Sequence, residues 1–243
     1  KTAYEMLRSL VGSEMCIRDR YLADLNGDGR LDIAVADWYN GEIGVLLQEQ
    51  AGGVAPRLRL SSRRGLNGLC VLDATGDGLP DLVAACARAS DIEIYPQQKG
   101  EKLAFGQTIF LRAGNTSPSA LLFPWPDGGG RKRGVALFGG ASPDGRVKYF
   151  PIEGGRLKEC RPFDSSKDPV YLDAAMLRLE PDGRPALAAL RGEPPAIVVL
   201  RERDGVFSSV KDEGKEETTL SADIPGFPIR LAAGDVNEDG IDD

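Results

Sequence analysis

The chain has 243 residues, 42% hydrophobic and 28% charged, enough for one or two ordinary domains with a substantial core. Its formal net charge of −7 argues against a nucleic-acid surface, which needs a basic face to neutralise phosphates. No stretch approaches the roughly 18 apolar residues that cross a bilayer as a helix, so no membrane insertion is expected. Thirty glycines and sixteen prolines in an unrepetitive composition fit an all-β protein with many turns.

Residues 1–20 stand apart. Val11-Gly-Ser-Glu-Met-Cys-Ile-Arg-Asp-Arg20 resembles translated sequencing-adapter read-through, and the segment is expected to be non-native and outside the fold. The expected fold then begins at Tyr21. It enters at once an acidic loop, Asp24-Leu-Asn26-Gly-Asp28-Gly-Arg30-Leu-Asp32. The same pattern returns as Asp73-Ala-Thr75-Gly-Asp77-Gly-Leu79-Pro-Asp81, and again as Asp235-Val-Asn237-Glu-Asp239-Gly-Ile-Asp-Asp243. Oxygen side chains stand at positions 1, 3, 5 and 9 of each loop, and glycine at position 6 permits a sharp turn. A hard cation such as calcium needs six to eight oxygen ligands, so the pattern predicts calcium. An EF-hand is excluded, because its bidentate acid at position 12 is Val35 in the first loop and Ala84 in the second.

Two degenerate copies, at Asp127 and Asp182, extend the repeat. The fifth-position anchors Asp28, Asp77, Asp127, Asp182 and Asp239 are successively 49, 50, 55 and 57 residues apart. Each unit holds short strands in the same order. One enters the loop and one leaves it, as in Asp32–Asp37 and Asp81–Cys86. A third follows a turn, as in Ile43–Leu47, Ile92–Tyr95, Val147–Phe150 and Ile197–Leu200. A fourth is clearest at Gln107–Arg112. No segment after Tyr21 keeps a helical period. Four strands in about 50 residues predict a β-propeller. The expected units are 21–66, 67–117, 118–168, 169–227 and a truncated 228–243: four nearly complete blades and the start of a fifth, a fragment of a ring of about seven.

These loops and strands resemble FG-GAP or VCBS repeats, the blades of integrin-α-type propellers and of many bacterial surface proteins. In the third unit Phe138-Gly-Gly-Ala-Ser-Pro143 and Gly145–Phe150 are similar to the family's strand–Gly-Ala-Pro–strand stretch. The resemblance implies one ion held by Asp24, Asn26, Asp28, Asp32 and the carbonyl of Arg30. A second would be held by Asp73, Thr75, Asp77, Asp81 and the carbonyl of Leu79, and a third by Asp235, Asn237, Asp239 and Asp243. The loops at Asp127 and Asp182 lack most of these ligands and are expected to be metal-free turns. It also implies a secreted or cell-surface, non-enzymatic module whose partner, a protein or a glycan, binds the rim opposite the calcium loops.

Candidate partner residues on that rim are Trp38, Tyr39 and Asn40, with Arg63, Arg64 and Asn67. The two aromatic rings either stack on a ligand or pack between neighbouring blades. Cys70 and Cys86 flank the second loop, as a bridge or as buried thiols. The chain has no histidine, no Gly-x-Ser-x-Gly elbow and no Walker phosphate loop, so no catalytic residue is assigned. Asp37, Asp91, Glu93, Asp164 and Asp168 are left without a role by sequence alone. A polysaccharide lyase or hydrolase built on a propeller is the alternative that such carboxylates would serve.

Overall fold

The computed structural model describes residues 17–86, 88–89, 91–100, 102–113, 121–126, 132–138, 147–159, 171–177, 185–191, 196–203, 206–209 and 219–220. The described residues form strands and turns with no helix. The chain divides into two compact units, residues 1–114 with 153–156, and residues 115–152 with 157–243.

The first unit carries two four-stranded antiparallel meanders. One joins β1 (Ile17–Ala23), β2 (Asp32–Asp37), β3 (Glu42–Gln48) and β4 (Val54–Ser61) in chain order. The other joins β5 (Leu66–Leu72), β6 (Asp81–Cys86), β7 (Asp91–Tyr95) and β8 (Ile109–Arg112) in the same way. Their shared core contains Leu25, Ala34, Ala36, Ile43 and Val45 from the first sheet and Leu66, Leu69, Val71, Leu82, Ala84 and Tyr95 from the second. Each large apolar side chain fully removed from water there contributes about 1.5–3 kcal/mol. Alanine recurs on β2 and β6 because these strands are closely covered; β5 and β6 are buried along their whole lengths. The outer strand β8 is mostly exposed, as an edge strand is.

The second unit repeats the plan. β9 (Leu121–Pro126), β10 (Lys132–Phe138), β11 (Val147–Glu153) and β12 (Arg156–Leu157) form one sheet. β13 (Tyr171–Leu177), β14 (Ala186–Arg191), β15 (Ala196–Arg203) and β16 (Val206–Ser209) form the other, and β17 (Thr219–Leu220) also pairs with β15. Trp125, Ala136, Ala174, Leu187, Ala189, Val198 and Leu200 pack together in its core.

Strand boundaries differ from the sequence reading in several places, and third strands such as Val147–Glu153 and Ala196–Arg203 run longer than expected. β1 starts at Ile17, inside the segment expected to lie outside the fold, because β2 runs on to Asp37 and offers pairing positions opposite Arg20, Asp19 and Ile17. Asp19 also accepts the backbone N–H of Leu69 at 2.6 Å. The fourth strand of the second sheet starts at Ile109 rather than Gln107. Pairing with β7 ends at Ile94–Ile109, and the chain bends at Gly106, whose N–H donates to the Pro96 carbonyl at 2.7 Å. The Asp127 and Asp182 loops, Gly139–Gly145, Asp164, Asp168 and all of 228–243 lie outside the described residues.

Candidate functional site

Each of the first two acidic loops joins the first strand of its sheet to the second, β1 to β2 and β5 to β6. The chain reverses there through two left-handed glycines. Gly27 and Gly29 have φ of 75° and 82°, and Gly76 and Gly78 have 79° and 84°. A Cβ at Gly29 or Gly78 would meet nothing within 4 Å, so position 6 demands glycine for its backbone conformation and not for space.

The backbone hydrogen bonds accepted at positions 1 and 5 are the same in the two loops. Asp24 accepts the N–H groups of Gly27 (2.8 Å), Asp28 (3.1 Å) and Gly29 (2.8 Å). Asp73 accepts those of Gly76 (2.7 Å), Asp77 (3.2 Å) and Gly78 (2.9 Å). Position 5 accepts the N–H two residues on, Arg30 to Asp28 and Leu79 to Asp77, both at 2.9 Å. Position 9 is buried at 0% exposure in both loops and reaches across to the entry of the turn. Asp32 accepts from Leu25 and from Gln48, and Asp81 from Ala74, Thr75 and Gln97. Burial pushes the Asp81 carboxyl above its ordinary value, against the backbone N–H groups of Gln97 and Ala74.

The loops differ at positions 3 and 7. The Asn26 amide donates to Asp28 at 2.8 Å, and the Arg30 guanidinium pairs with the same carboxylate. Desolvation pushes Asp28 up, but the Asn26 amide, the Arg30 N–H and the Arg30 charge outweigh it and hold the carboxyl low. The second loop has Thr75 and Leu79 at these positions and no such pair.

Chemically the donors suit a hard cation: every one is an oxygen, and three backbone N–H groups fix the leading carboxylate in each loop. Among the described residues no three acidic side chains converge into a ready-made cluster. A cation in the first loop would therefore take Asp28 from Arg30.

β2 carries the chain from Asp32 to Asp37, about 17 Å at the usual rise per residue, so the Trp38–Gly41 turn lies at the far end of the sheet. Asp37 caps this turn. It accepts the N–H of Tyr39 (2.9 Å) and of Asn40 (3.0 Å), and the Asn40 amide at 2.7 Å. Tyr39 is 65% exposed, whereas Trp38 is half-buried with the Arg88 guanidinium 5.6 Å from its ring centre. The turn is tied to the β4–β5 connector: Ser62 donates to Gly41 at 2.7 Å and Gly65 to Trp38 at 3.0 Å. Gly41 has a φ of 69°, and a Cβ on it would stand 2.9 Å from the Arg63 and Arg64 backbone.

The connector is in turn held by the second sheet. Arg63 pairs with Asp91 at 2.6 Å and with Glu93 at 3.8 Å, and stacks 4.4 Å from the Phe110 ring centre. Glu93 is 1% exposed and accepts the hydroxyls of Ser62 and, at 2.6 Å, of Tyr95. Burial and then the Glu93 contact raise the Tyr95 phenol's pKa. Asp37, Asp91 and Glu93 thus have structural partners, a role no sequence spacing announced. Arg64 is exposed on the rim, but Asn67 is 3% exposed within β5 and does not present its amide there. Cys70 and Cys86 are buried free thiols and form no bridge.

Residues 24–84 match the family model of the FG-GAP-like repeat. This stretch is similar to an FG-GAP-like repeat. It contains both described acidic loops and the Trp38–Gly41 turn between them. No curated protein matches the chain. Among solved structures, it is similar to a putative 6-phosphogluconolactonase from Bacteroides uniformis, at 17% identity and a TM-score of 0.52, over 77% of this chain and 55% of that one. It is also similar to BBS1N in complex with ARL6DN, soaked with lead, at 15% identity and a TM-score of 0.50, over 83% and 57%. The chain spans little more than half of either. At such identities the likeness shows fold alone, and with the repeat and the four sheets that fold is a β-propeller fragment.

Proposed function

We propose that the protein is a calcium-stabilised, non-enzymatic interaction module, with its acidic loops at one end of the blades and a partner-binding rim at the other. The FG-GAP-like repeat supports an interaction module in general terms. The observation that carries the finer reading is the matched hydrogen-bond skeleton of the two loops, with oxygen donors at positions 1, 3, 5 and 9 of each. Asp24, Asn26, Asp28 and Asp32, with the carbonyl of Arg30, hold one ion. Asp73, Thr75, Asp77 and Asp81, with the carbonyl of Leu79, hold the second. Asp235, Asn237, Asp239 and Asp243 supply a third site of the same donor type. Calcium would draw the loop carboxylates together and pin the β1–β2 and β5–β6 turns.

Secretion or display at the cell surface follows from the same chemistry, since calcium modules of millimolar-range affinity are filled outside cells. Among the described residues no helix is long and apolar enough to cross a membrane. The partner, protein or glycan, meets the rim at Trp38, Tyr39, Asn40, Arg63 and Arg64. Thermal melts of the full chain in calcium and in chelator, with Asp28→Ala and Asp77→Ala alongside, test the metal reading. An unchanged melting temperature would sink it. Product release from a pectin or glucan panel would overturn the non-enzymatic reading.

A further inference from the structure

The second acidic loop carries a contact that the first lacks. The β11–β12 hairpin turns through two residues, Gly154 and Gly155, with φ of 59° and 78°. A two-residue turn with both residues left-handed suits the twist of its flanking strands, and the Lys158 N–H closes it on the Pro151 carbonyl at 2.9 Å. The tip of this hairpin, residues 153–156, belongs to the first unit. There the Gly155 peptide lies against Gly76. A Cβ on Gly76 would run into the Gly155 carbonyl oxygen and would stand 2.9 Å from its carbon and 3.1 Å from the Gly155 Cα. Gly27 holds the same position in the first loop, with the same left-handed backbone and the same hydrogen bond to the leading aspartate. A Cβ there would meet nothing within 4 Å among the described residues. Position 4 is therefore glycine for its backbone in both loops, and for space in the second alone.

We propose that the second loop is the seat of a calcium-controlled clasp: an ion bound there holds the Glu153–Arg156 tip against Gly76, and the seated tip tightens that loop's hold on the ion. The proposal rests on the calcium reading above and adds a regulated contact to it. Gly76 lies between two residues that this reading assigns to the ion, Thr75 and Asp77. Its own N–H is held by a third, Asp73, at 2.7 Å. An ion that draws these three together fixes the backbone on which Gly155 rests. Two glycines in contact have no side chain that could adjust, so the seat exists only while the loop backbone keeps one shape. Exposed turns such as this one open locally at little cost, and the ion removes that freedom. The coupling is reciprocal by thermodynamic necessity: whatever factor calcium adds to seating, seating adds to calcium affinity. The first loop, with open space at Gly27, keeps the effect of its ion local to the β1–β2 turn.

The test is hydrogen exchange of the full chain, read by mass spectrometry in calcium and in chelator, on peptides covering the second loop (73–81) and the hairpin (151–158). Gly76→Asn and Gly27→Asn are run alongside. Asparagine tolerates the left-handed backbone, so both variants keep their turn, and only Gly76→Asn drives a Cβ into Gly155. In wild type, calcium is expected to slow exchange in the hairpin by about fivefold or more. Gly27→Asn should keep that slowing and Gly76→Asn should lose it. Calorimetric titration should show the second loop's calcium affinity weakened by the same factor in Gly76→Asn and unchanged in Gly27→Asn. Slowing in the loop but not in the hairpin of wild type overturns the clasp and leaves the calcium reading standing; this arm needs no variant to fold. Hairpin slowing kept in full by Gly76→Asn overturns Gly76 as the seat. No slowing in either segment overturns the clasp and the second loop's calcium site together.

Discussion

The buried Asp32 carboxylate accepts the backbone N–H of Gln48, sixteen residues further along the chain, at 2.9 Å. Asp81 repeats the contact with Gln97 at 2.8 Å and the same separation. The ninth loop residue therefore fastens the turn to the end of the third strand, whatever else it does. Asp81→Ala would leave the N–H groups of Ala74, Thr75 and Gln97 unpaired. At about 1–3 kcal/mol for each unsatisfied donor, a loss of at least about 3 kcal/mol is expected in chelator. Urea unfolding should show it as a lower midpoint. Asp77→Ala, one position class away, should lose far less without metal.

Tyr21 gives an alkaline limit. Burial, then the nearby Cys70 and Asp19, raise its phenol to about 12 from the ordinary 10.0. A tyrosine whose folded pKa exceeds its unfolded one favours folding while neutral. That stability is complete below pH 10 and declines as pH rises from about 10 towards 12. Urea midpoints measured from pH 8 to 12 should fall across this window, and Tyr21→Phe should flatten the fall. An equal fall in both proteins would remove Tyr21 as its cause.

The thiols make a sharper statement about packing. Cys70 and Cys86 are each 0% exposed, and burial pushes the Cys86 thiol up from its ordinary value. The nucleophile is the thiolate, so both should resist iodoacetamide at pH 8 for hours in the native protein and react within minutes in urea. Peptide mapping would assign the label. Rapid native labelling of either would mean that the second sheet opens locally.

The loop pattern was legible in sequence because a reversal through two left-handed glycines with carboxylate caps needs Asp and Gly at set offsets. The strands were legible because short β-branched and apolar runs sit between those turns. The rim was less so. Nothing in the spacing of Ser62, Arg63, Asp91, Glu93 and Tyr95 marks them as one network, since they meet only when the β4–β5 connector lies over β7. Polarity alone offers Asn67 to the rim, but β5 is covered on both faces, and its amide is enclosed with it. The Arg30–Asp28 pair is likewise invisible in the spacing, because an arginine at position 7 enters the pattern only through its carbonyl.

Competition between that pair and a bound cation would separate the two loops. With about 1 mM calcium and dissociation constants near 0.1 mM, two sites add roughly 3 kcal/mol by mass action. For a domain of this size the melting temperature should rise by about 6–12 °C, and Asp28→Ala or Asp77→Ala should each remove about half. Within the first loop the ion must displace an exposed pair between Arg30 and Asp28, worth about 0.2–1 kcal/mol. Arg30→Ala should then tighten that loop's calcium affinity by about 2–5-fold, while Leu79→Ala, which removes no charge from the second loop, should leave affinity within twofold. Calorimetric titration of the two variants decides it. Unchanged affinity in Arg30→Ala would mean that the ion and the guanidinium do not share the Asp28 carboxylate, and that the first loop binds through other oxygens.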